Sequence, residues 1–261
     1  MNDPATVVQS SHVEEVMGTT VTFDVRDENS GPAISAAIDW LHHVDEVFSP
    51  YKPESPISKF GLGELTIDEL SDEVRDVLAL CDIVNDDTNG AFNAFAVPAP
   101  NGSMFNPSGL VKGWALEISA EILEQFGLRN FTINGGGDIA VRGTPLDEDG
   151  WRIGIRHPYE ANMFAEVVQL RDHAAIATSA TYERGAHIVD PETGTGTTDL
   201  ASVTIIGPDL TFVDVYATSV FVMGNEGLVW LLDSHPECEG FAIGHDGFTY
   251  ATPGFSRYVV Q

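Results

Sequence analysis

The apolar residues of this chain change their spacing repeatedly along its length, between the alternation of a strand and the wider spacing of a helix. Residues 17–25 alternate and are rich in β-branched side chains, which predicts a strand. Residues 32–47, 72–85 and 110–126 carry apolar side chains at helical spacing. Because strands and helices mix without a regular strand–helix–strand rhythm, the sequence predicts an α+β fold with mostly antiparallel sheets flanked by helices.

The second half of the chain is dominated by short apolar segments. They predict strands at residues 131–134, 138–142, 151–156, 164–170, 174–178 and 202–206, and strand-like segments within 241–260. Residues 48–63 are rich in Pro, Ser and Gly, which indicates a loop. The apolar run 212–223 fits a buried strand or a buried helix, and the helical pattern of residues 227–233 that follows favours a helix.

Length and hydrophobic content are sufficient for one large core. The chain has 261 residues, 43% of them hydrophobic, and no sharp linker divides it. We therefore predict a single domain over residues 17–261, preceded by an N-terminal extension over residues 1–16. No run of 18 apolar residues is present, so we expect no membrane span. The N-terminus shows no secretory signal or lipid-attachment cysteine, which favours a cytoplasmic protein.

The charge balance is strongly acidic, with 40 acidic residues against 12 basic ones and a net charge of −28 at pH 7. Such a surface repels nucleic acid and anionic membranes, so we expect neither as a partner. It also repels an anionic ligand. Any phosphate site must therefore reverse the field locally, through a metal ion, a helix N-terminus or a few placed cations.

Two glycine-rich segments could approach a ligand with their backbone. Three glycines in the segment 134–138 lie between two predicted strands and precede the carboxylate of Asp138, although this motif alone favours a tight turn. Segment 108–113 places Lys112 and two glycines at the start of a predicted helix, which suits a phosphate. It lacks the complete P-loop pattern, and an ordinary helix start accounts for it as well.

Two further groups of side chains could carry chemistry. His187 lies near Thr178, Ser179 and Tyr182 and could act as a general base near pH 7, with a satisfied core histidine as the alternative. On a helix, Asp214 and Thr218 would share one face. Their oxygens suit Mg²⁺, but two ligands alone are too few, and a pair at the edge of the core is the alternative.

Taken in their order along the chain, these motifs resemble the FAD:protein FMN transferase family, also called ApbE. The matching segments are 17–19, 48–51, 55–58, 88–92, 108–115, 134–138, 151–156, 178–194, 214–218 and 222–224. The most specific of them is His-Ile-Val-Asp-Pro-Glu-Thr-Gly at 187–194, followed by Asp-x-x-x-Thr at 214–218. The resemblance covers nearly the whole chain and implies a single ApbE-like, T-fold-like domain.

The resemblance also implies an activity. Members of this family transfer the FMN half of FAD to a Thr or Ser hydroxyl of a target flavoprotein and release AMP, and some hydrolyse FAD instead. It implies Mg²⁺ as cofactor, held by Asp214, Thr218 and a main-chain carbonyl near Gly109, with His187 as the catalytic residue. The residues we assign to FAD on this basis are Met17, Tyr51, Ser55, Lys112, Asp138, Thr178, Ser179 and Tyr182.

The chain departs from the family pattern at Asn93 and Asn106, where Asp is usual. Each change removes a carboxylate near the expected phosphate site and leaves His187, Asp214 and Thr218 in place. The leading prediction is therefore a Mg²⁺-dependent transferase acting on FAD and an acceptor flavoprotein. A Mg²⁺-dependent FAD pyrophosphatase and a non-catalytic FAD-binding protein are the alternatives.

Overall fold

A computed structural model describes residues 10–146, 148–160, 162–180 and 199–260, and their strands form one large sheet and one small sheet. The large sheet has eight strands in the order β1-β2-β3-β4-β7-β8-β9-β10, and all its neighbours are antiparallel. β5 and β6 form a separate antiparallel pair. The strands are β1 (Ser10–Val16), β2 (Thr19–Val25), β3 (Phe131–Gly135), β4 (Asp138–Gly143), β5 (Trp151–Arg156), β6 (Phe164–Leu170), β7 (Asp172–Ala180), β8 (Leu200–Gly207), β9 (Glu239–Gly244) and β10 (Thr249–Ala251).

Six α-helices lie within the described part of the chain. They are α1 (Gly31–Phe48), α2 (Pro56–Gly61), α3 (Asp72–Asp87), α4 (Ser108–Gln125), α5 (Leu210–Met223) and α6 (Gly227–Ser234). Ser71 starts α3 by accepting a hydrogen bond from the N–H of Val74, and Asp209 starts α5 by accepting one from Thr211. α5 ends at Gly224, whose φ of 65° is unfavourable for other residues.

The large sheet is buried on both faces, which divides the core into two parts. The helices cover one face, and the β5–β6 pair covers the other. Alternate residues of β4 point into different parts of the core. Ala140 packs with the helices, whereas Ile139 and Val141 pack with the β5–β6 pair. β8 is buried at every residue for the same reason. α4 and α5 pack against each other across the helical face.

The predicted α+β fold with antiparallel sheets and flanking helices is confirmed. Residues 212–223, which the sequence left open between strand and helix, lie in α5. Two predictions need correction. Residues 10–16 of the predicted extension form β1, which pairs with β2 along its whole length. The predicted loop at 48–63 contains the helix α2, because Ser55 caps its first turn and Pro56 occupies its first position.

One helical stretch, Leu210–Ser234, is long and apolar enough to cross a membrane by length and composition alone. Half of its most apolar window is buried within the protein, which is also the pattern of a core helix. Here α5 packs against α4, β7 and β8, and Gly224 separates it from α6.

Candidate active site

A large cleft lies against the first turns of α4 and one face of α5. Its volume is about 1300 Å³. Loops at residues 17–19, 49–52, 91–93, 97–100 and 135–136 and the end of β7 complete its wall. Pockets for drug-sized ligands measure roughly 300–1,000 Å³, so this cleft can hold a ligand of dinucleotide size.

The close approach of α4 and α5 depends on Gly113. A Cβ atom at this position would lie 2.6 Å from the carbonyl oxygen of Leu210 and 2.8 Å from the Cβ of Asp214. Both distances are shorter than any normal contact, so only glycine fits between the helices. The resulting proximity places Asp214 of α5 beside Lys112 of α4.

Lys112 lies between two buried carboxylates. Its Nζ contacts Oδ2 of Asp138 and lies 3.5 Å from Oδ1 of Asp214. The side chains of Asp138 and Asp214 are only 3% and 7% exposed. Oδ1 of Asp138 also accepts a hydrogen bond from the backbone N–H of Thr178, at 3.2 Å. This group, which we call the site cluster (Lys112, Asp138 and Asp214), therefore connects α4, β4, α5 and β7.

Asp214 is the least satisfied member of the site cluster. Its Oδ2 is buried and makes no well-aligned hydrogen bond with a described residue, although the backbone N–H of Gly113 also approaches this carboxylate. Burial raises the pKa of Asp214 to about 7, while the positive charge of Lys112 acts in the opposite direction. Because a buried carboxylate oxygen without a partner costs free energy, a cation or donor that reached this oxygen from the cleft would bind favourably.

Hydroxyl groups extend the site next to Asp214. Thr218 lies one turn further along α5, and its Oγ1 is 2.9 Å from Oγ of Ser179. Thr178 and Thr204 form a similar pair across β7 and β8, with hydroxyl oxygens 2.8 Å apart. Thr178, Ser179 and Thr218 all line the cleft.

Of the three predicted FAD residues that precede α2, two line the cleft and one does not. Met17, with φ 54° in the turn between β1 and β2, and Tyr51, which is 71% exposed, both line the cleft. Ser55 does not. Its buried hydroxyl accepts a hydrogen bond from the N–H of Ser58 and donates one to the carbonyl of Ser49, so it shapes the loop that carries Tyr51.

The charges on the cleft wall differ from those of the whole chain. Three cations, Lys52, Lys112 and Arg156, line it together with two carboxylates, Asp45 and Asp214. The described wall thus carries one more positive than negative charge, although the chain carries −28. Asp138, directly behind Lys112, balances this excess, so the site is close to neutral in formal charge, unlike the strongly negative chain. Arg156 had no role predicted from the sequence, although it ends the Trp151–Arg156 segment that resembles the family.

The profile of the ApbE family matches residues 17–102 and 96–242. The chain belongs to the ApbE family. Curated relatives named FAD:protein FMN transferase include one from Vibrio cholerae, 33% identical over 46% of this chain and 38% of the relative. Another, from Salmonella typhimurium, is 29% identical over 58% of this chain and 46% of the relative. The chain thus matches less than half the length of these two relatives.

A longer alignment and two solved structures extend the similarity. The relative from Haemophilus influenzae is 25% identical over 81% of this chain and 80% of its own length. The flavin transferase ApbE from Vibrio cholerae superposes with a TM-score of 0.84 at 23% identity, over 96% of this chain and 99% of that chain. The ApbE protein of Thermotoga maritima gives 0.85 at 21% identity, over 97% and 100%. These structures establish the ApbE fold.

The structure brings most of the predicted site of this ApbE-family chain together. Gly109, Asp214 and Thr218, the predicted metal ligands, all line the cleft, as do Met17, Tyr51, Lys112, Thr178 and Ser179. Asp138 lies behind Lys112 and contacts its Nζ. His187 and Tyr182 lie outside the described residues.

The donors that could hold a metal here are oxygens from different residue types. Within the described ranges, no three His, Cys, Asp or Glu side chains come together as a metal site. Asp214 and Thr218 nevertheless offer hard oxygen donors, and the partnerless Oδ2 of Asp214 is suited to a cation. Mg²⁺ usually takes one or two carboxylates and keeps waters and phosphate oxygens for its other positions, so this donor set fits it.

Proposed function

We propose that this ApbE-family protein is a Mg²⁺-dependent flavin transferase that moves the FMN half of FAD onto a Thr or Ser hydroxyl of an acceptor flavoprotein and releases AMP. The observation that carries the proposal is the buried carboxylate of Asp214. It has one oxygen without a partner and lies beside Lys112 in a cleft of dinucleotide size. The names of the relatives support the same activity.

In this proposal, Asp214, Thr218 and the main-chain carbonyl near Gly109 hold Mg²⁺. When bound, the ion would supply Lewis-acid polarisation of the pyrophosphate and would offset negative charge on its oxygens. Ser179 positions the hydroxyl of Thr218 through their 2.9 Å contact. Lys112 adds a second positive charge, and Asp138 keeps its ammonium group in place.

The remaining residues bind FAD and move one proton. The N-terminal end of α4 favours phosphate oxygens through its free N–H groups and its dipole. Tyr51, exposed at the cleft wall, stacks on a ring of FAD, and Met17 lies on the same wall. The acceptor hydroxyl attacks the phosphorus of the FMN half while His187 takes its proton. The bond to the AMP phosphate breaks, and AMP leaves.

The direct test is to incubate the protein with FAD, Mg²⁺ and an acceptor domain that carries a flavinylation motif. We expect covalent flavin on the acceptor, seen by in-gel fluorescence and by a mass increase equal to FMN, together with released AMP. His187→Ala serves as the comparison, because it should bind FAD with unchanged affinity and transfer no flavin. Transfer at the wild-type rate in this variant would show that His187 is not the base.

The same experiment separates the alternatives. Free FMN and AMP without labelling of the acceptor would indicate an FAD pyrophosphatase, in which water replaces the acceptor hydroxyl at the same residues. Binding of FAD with neither product would indicate a non-catalytic flavin-binding protein. Either result would overturn the proposed transfer.

A further inference from the structure

The C-terminal end of α3 contacts α5, and the loop that follows α3 contacts α4. These are the two helices that carry the proposed metal ligands. The hydroxyl of Tyr216, in α5, donates a hydrogen bond to Oδ2 of Asp87 at 2.8 Å. Asp87 is the last residue of α3, and the loop that follows it reaches the cleft at residues 91–93. α3 is therefore in a position to control how α5 sits relative to α4.

Tyr216 lies on the opposite side of α5 from the site. It falls midway between Asp214 and Thr218, and two residues correspond to slightly more than half a turn of helix. Its ring is buried and packs edge-on against Trp230, with centroids 5.4 Å apart. Burial and the carboxylate of Asp87 raise the pKa of Tyr216, so the hydroxyl remains a proton donor at any pH at which the protein works.

The same end of α3 also fixes the loop that packs on α4. The hydroxyl of Thr88 donates to the carbonyl of Val84 at 2.7 Å and accepts from the N–H of Phe92 at 3.1 Å. The side-chain amide of Asn85 donates to the carbonyl of Phe92 at 2.9 Å. The Phe92 ring lies against Gly109, only 3.5 Å from where a Cβ atom on that glycine would be.

We propose that Asp87 and Tyr216 are positioning residues that set the affinity for Mg²⁺. Their hydrogen bond holds α5 against α3, while Phe92 holds α3 against Gly109. Together these contacts add to the direct packing of α4 on α5 at Gly113 in setting the separation between Gly109 and the pair Asp214 and Thr218. This inference rests on the proposed metal site, and neither Asp87 nor Tyr216 touches the substrate in it.

The surroundings of Asp87 allow the hydrogen bond to be removed without exposing an isolated charge. Nε2 of His235 lies 3.1 Å from Oδ2 of Asp87, although it is not aligned for a hydrogen bond, and Nδ1 lies 3.5 Å from Glu237. In Tyr216→Phe, Asp87 would still face this imidazole, and the ring contacts with Trp230 would remain. The variant therefore removes one hydroxyl group and little else.

The test is a Mg²⁺ titration of Tyr216→Phe, Asp87→Ala and the double variant, followed both by the transfer rate and by the Mg²⁺-induced rise in Tm. A hydrogen bond to a carboxylate contributes about 1.5 kcal/mol or more. If all of this free energy supports Mg²⁺ binding, its loss raises the half-saturating Mg²⁺ concentration about tenfold. We expect kcat at saturating Mg²⁺ to stay within about twofold of wild type. For Mg²⁺ affinity, the double variant should lose no more than Asp87→Ala alone. Both single variants remove the hydrogen bond, and only Asp87→Ala also removes the contact with His235.

Two controls isolate the effect. Asp87→Asn keeps an acceptor oxygen and should recover most of the Mg²⁺ affinity lost in Asp87→Ala. Tyr250→Phe removes a hydroxyl from an exposed tyrosine on β10 and should leave the titration unchanged.

The inference is overturned if Tyr216→Phe and Asp87→Ala lower Tm in the absence of metal but keep the wild-type half-saturation for Mg²⁺. Additive losses in the double variant would overturn it as well. If wild-type protein shows no response to Mg²⁺ in either measurement, the proposed metal site itself is wrong and the inference falls with it. A normal wild-type response with unaffected variants would refute only the role of Asp87 and Tyr216.

Discussion

The helix α4 carries two buried ion clusters that join the same three elements but differ in how completely their charges are satisfied. The site cluster joins Lys112 of α4 to Asp138 of β4 and Asp214 of α5. One turn further along, Glu117 of α4 contacts Arg142 of β4, and its Oε2 accepts a hydrogen bond from the N–H of Leu210 at the start of α5, at 2.9 Å. Arg142 also pairs with Glu124 of α4, and we call this second group (Glu117, Glu124, Arg142) the structural cluster.

We assign a stabilising role to the structural cluster and a ligand-binding role to the site cluster. In the structural cluster, Arg142 is 2% exposed, and both carboxylate oxygens of Glu117 have partners. In the site cluster, Oδ2 of Asp214 has no hydrogen-bond partner among the described residues and the cluster adjoins the cleft. A fully paired cluster stabilises one arrangement of the chain, whereas an underpaired one keeps binding capacity for a ligand.

The largest effect is expected from Glu117→Ala. This variant leaves Arg142 with Glu124 as its remaining carboxylate partner and removes the acceptor for the N–H of Leu210. Breaking a buried pair in this way should lower the free energy of unfolding by about 3–5 kcal/mol, measured by urea denaturation. Gln125→Ala, at an exposed and uncharged position of the same helix, should change it by less than about 0.5 kcal/mol. If the two variants proved equally stable, the structural cluster would have no special role.

Asp214→Asn should lower activity strongly and leave the free energy of unfolding nearly unchanged, the reverse of Glu117→Ala. We expect transfer to fall about 10²–10³-fold, as when one electrostatic contact to a transition state is removed. The folded protein should be at least as stable as wild type in EDTA, because the variant no longer buries a charge. Added Mg²⁺ should no longer raise its Tm. An active Asp214→Asn enzyme that needs no metal would contradict the assignment of Asp214.

A graded effect of pH should follow from the same carboxylate. Burial raises the pKa of Asp214 from 3.8 to about 7, so between these values the folded protein binds a proton that the unfolded chain has lost. The stability of metal-free wild type relative to Asp214→Asn should therefore decrease as pH rises from about 4 to about 7 and then level off. Urea denaturation in EDTA across this range measures the difference. A constant difference at all pH values would mean that Asp214 titrates normally.

The smallest effects should distinguish the two hydroxyl pairs. Thr218→Val and Thr204→Val each leave one hydroxyl without its partner, Ser179 or Thr178 respectively, at a cost of about 1 kcal/mol in the free energy of unfolding. Only Thr218→Val should also weaken Mg²⁺ binding, by about tenfold, since Thr204 is not a proposed ligand. Equal loss of Mg²⁺ affinity in both variants would show that the hydroxyl of Thr218 does not bind the metal.

The sequence predicted an element correctly where the pattern of apolar residues within that element was enough to identify it. α1 and α3 each present one apolar face to the core, so their period was readable. α5 is buried on nearly all sides, and an apolar run of this kind has no period that separates a helix from a strand. The helix α2 was missed because Ser55 and Pro56 were interpreted by composition, although in that order they also signal the start of a helix.

Among the predicted site residues, some line the cleft and others do not. The order of motifs located Lys112, Asp214 and Thr218, all of which line the cleft. Ser55, assigned to FAD by resemblance, instead caps α2, and no local pattern distinguishes a serine that caps from one that binds a ligand. The roles proposed for His187 and Tyr182 remain predictions.

The sequence by itself determined the class of fold, the family and the chemical types of the site residues, because these depend on local periodicity and on the order of short motifs. Only the tertiary structure decided which charges meet. Lys112, Asp138 and Asp214 are far apart in the chain, and they come together because Gly113 lets α4 and α5 approach within contact of each other's backbone. The partnerless oxygen of Asp214 is likewise a property of that packing, since burial and hydrogen bonding are set by neighbours that no local segment contains.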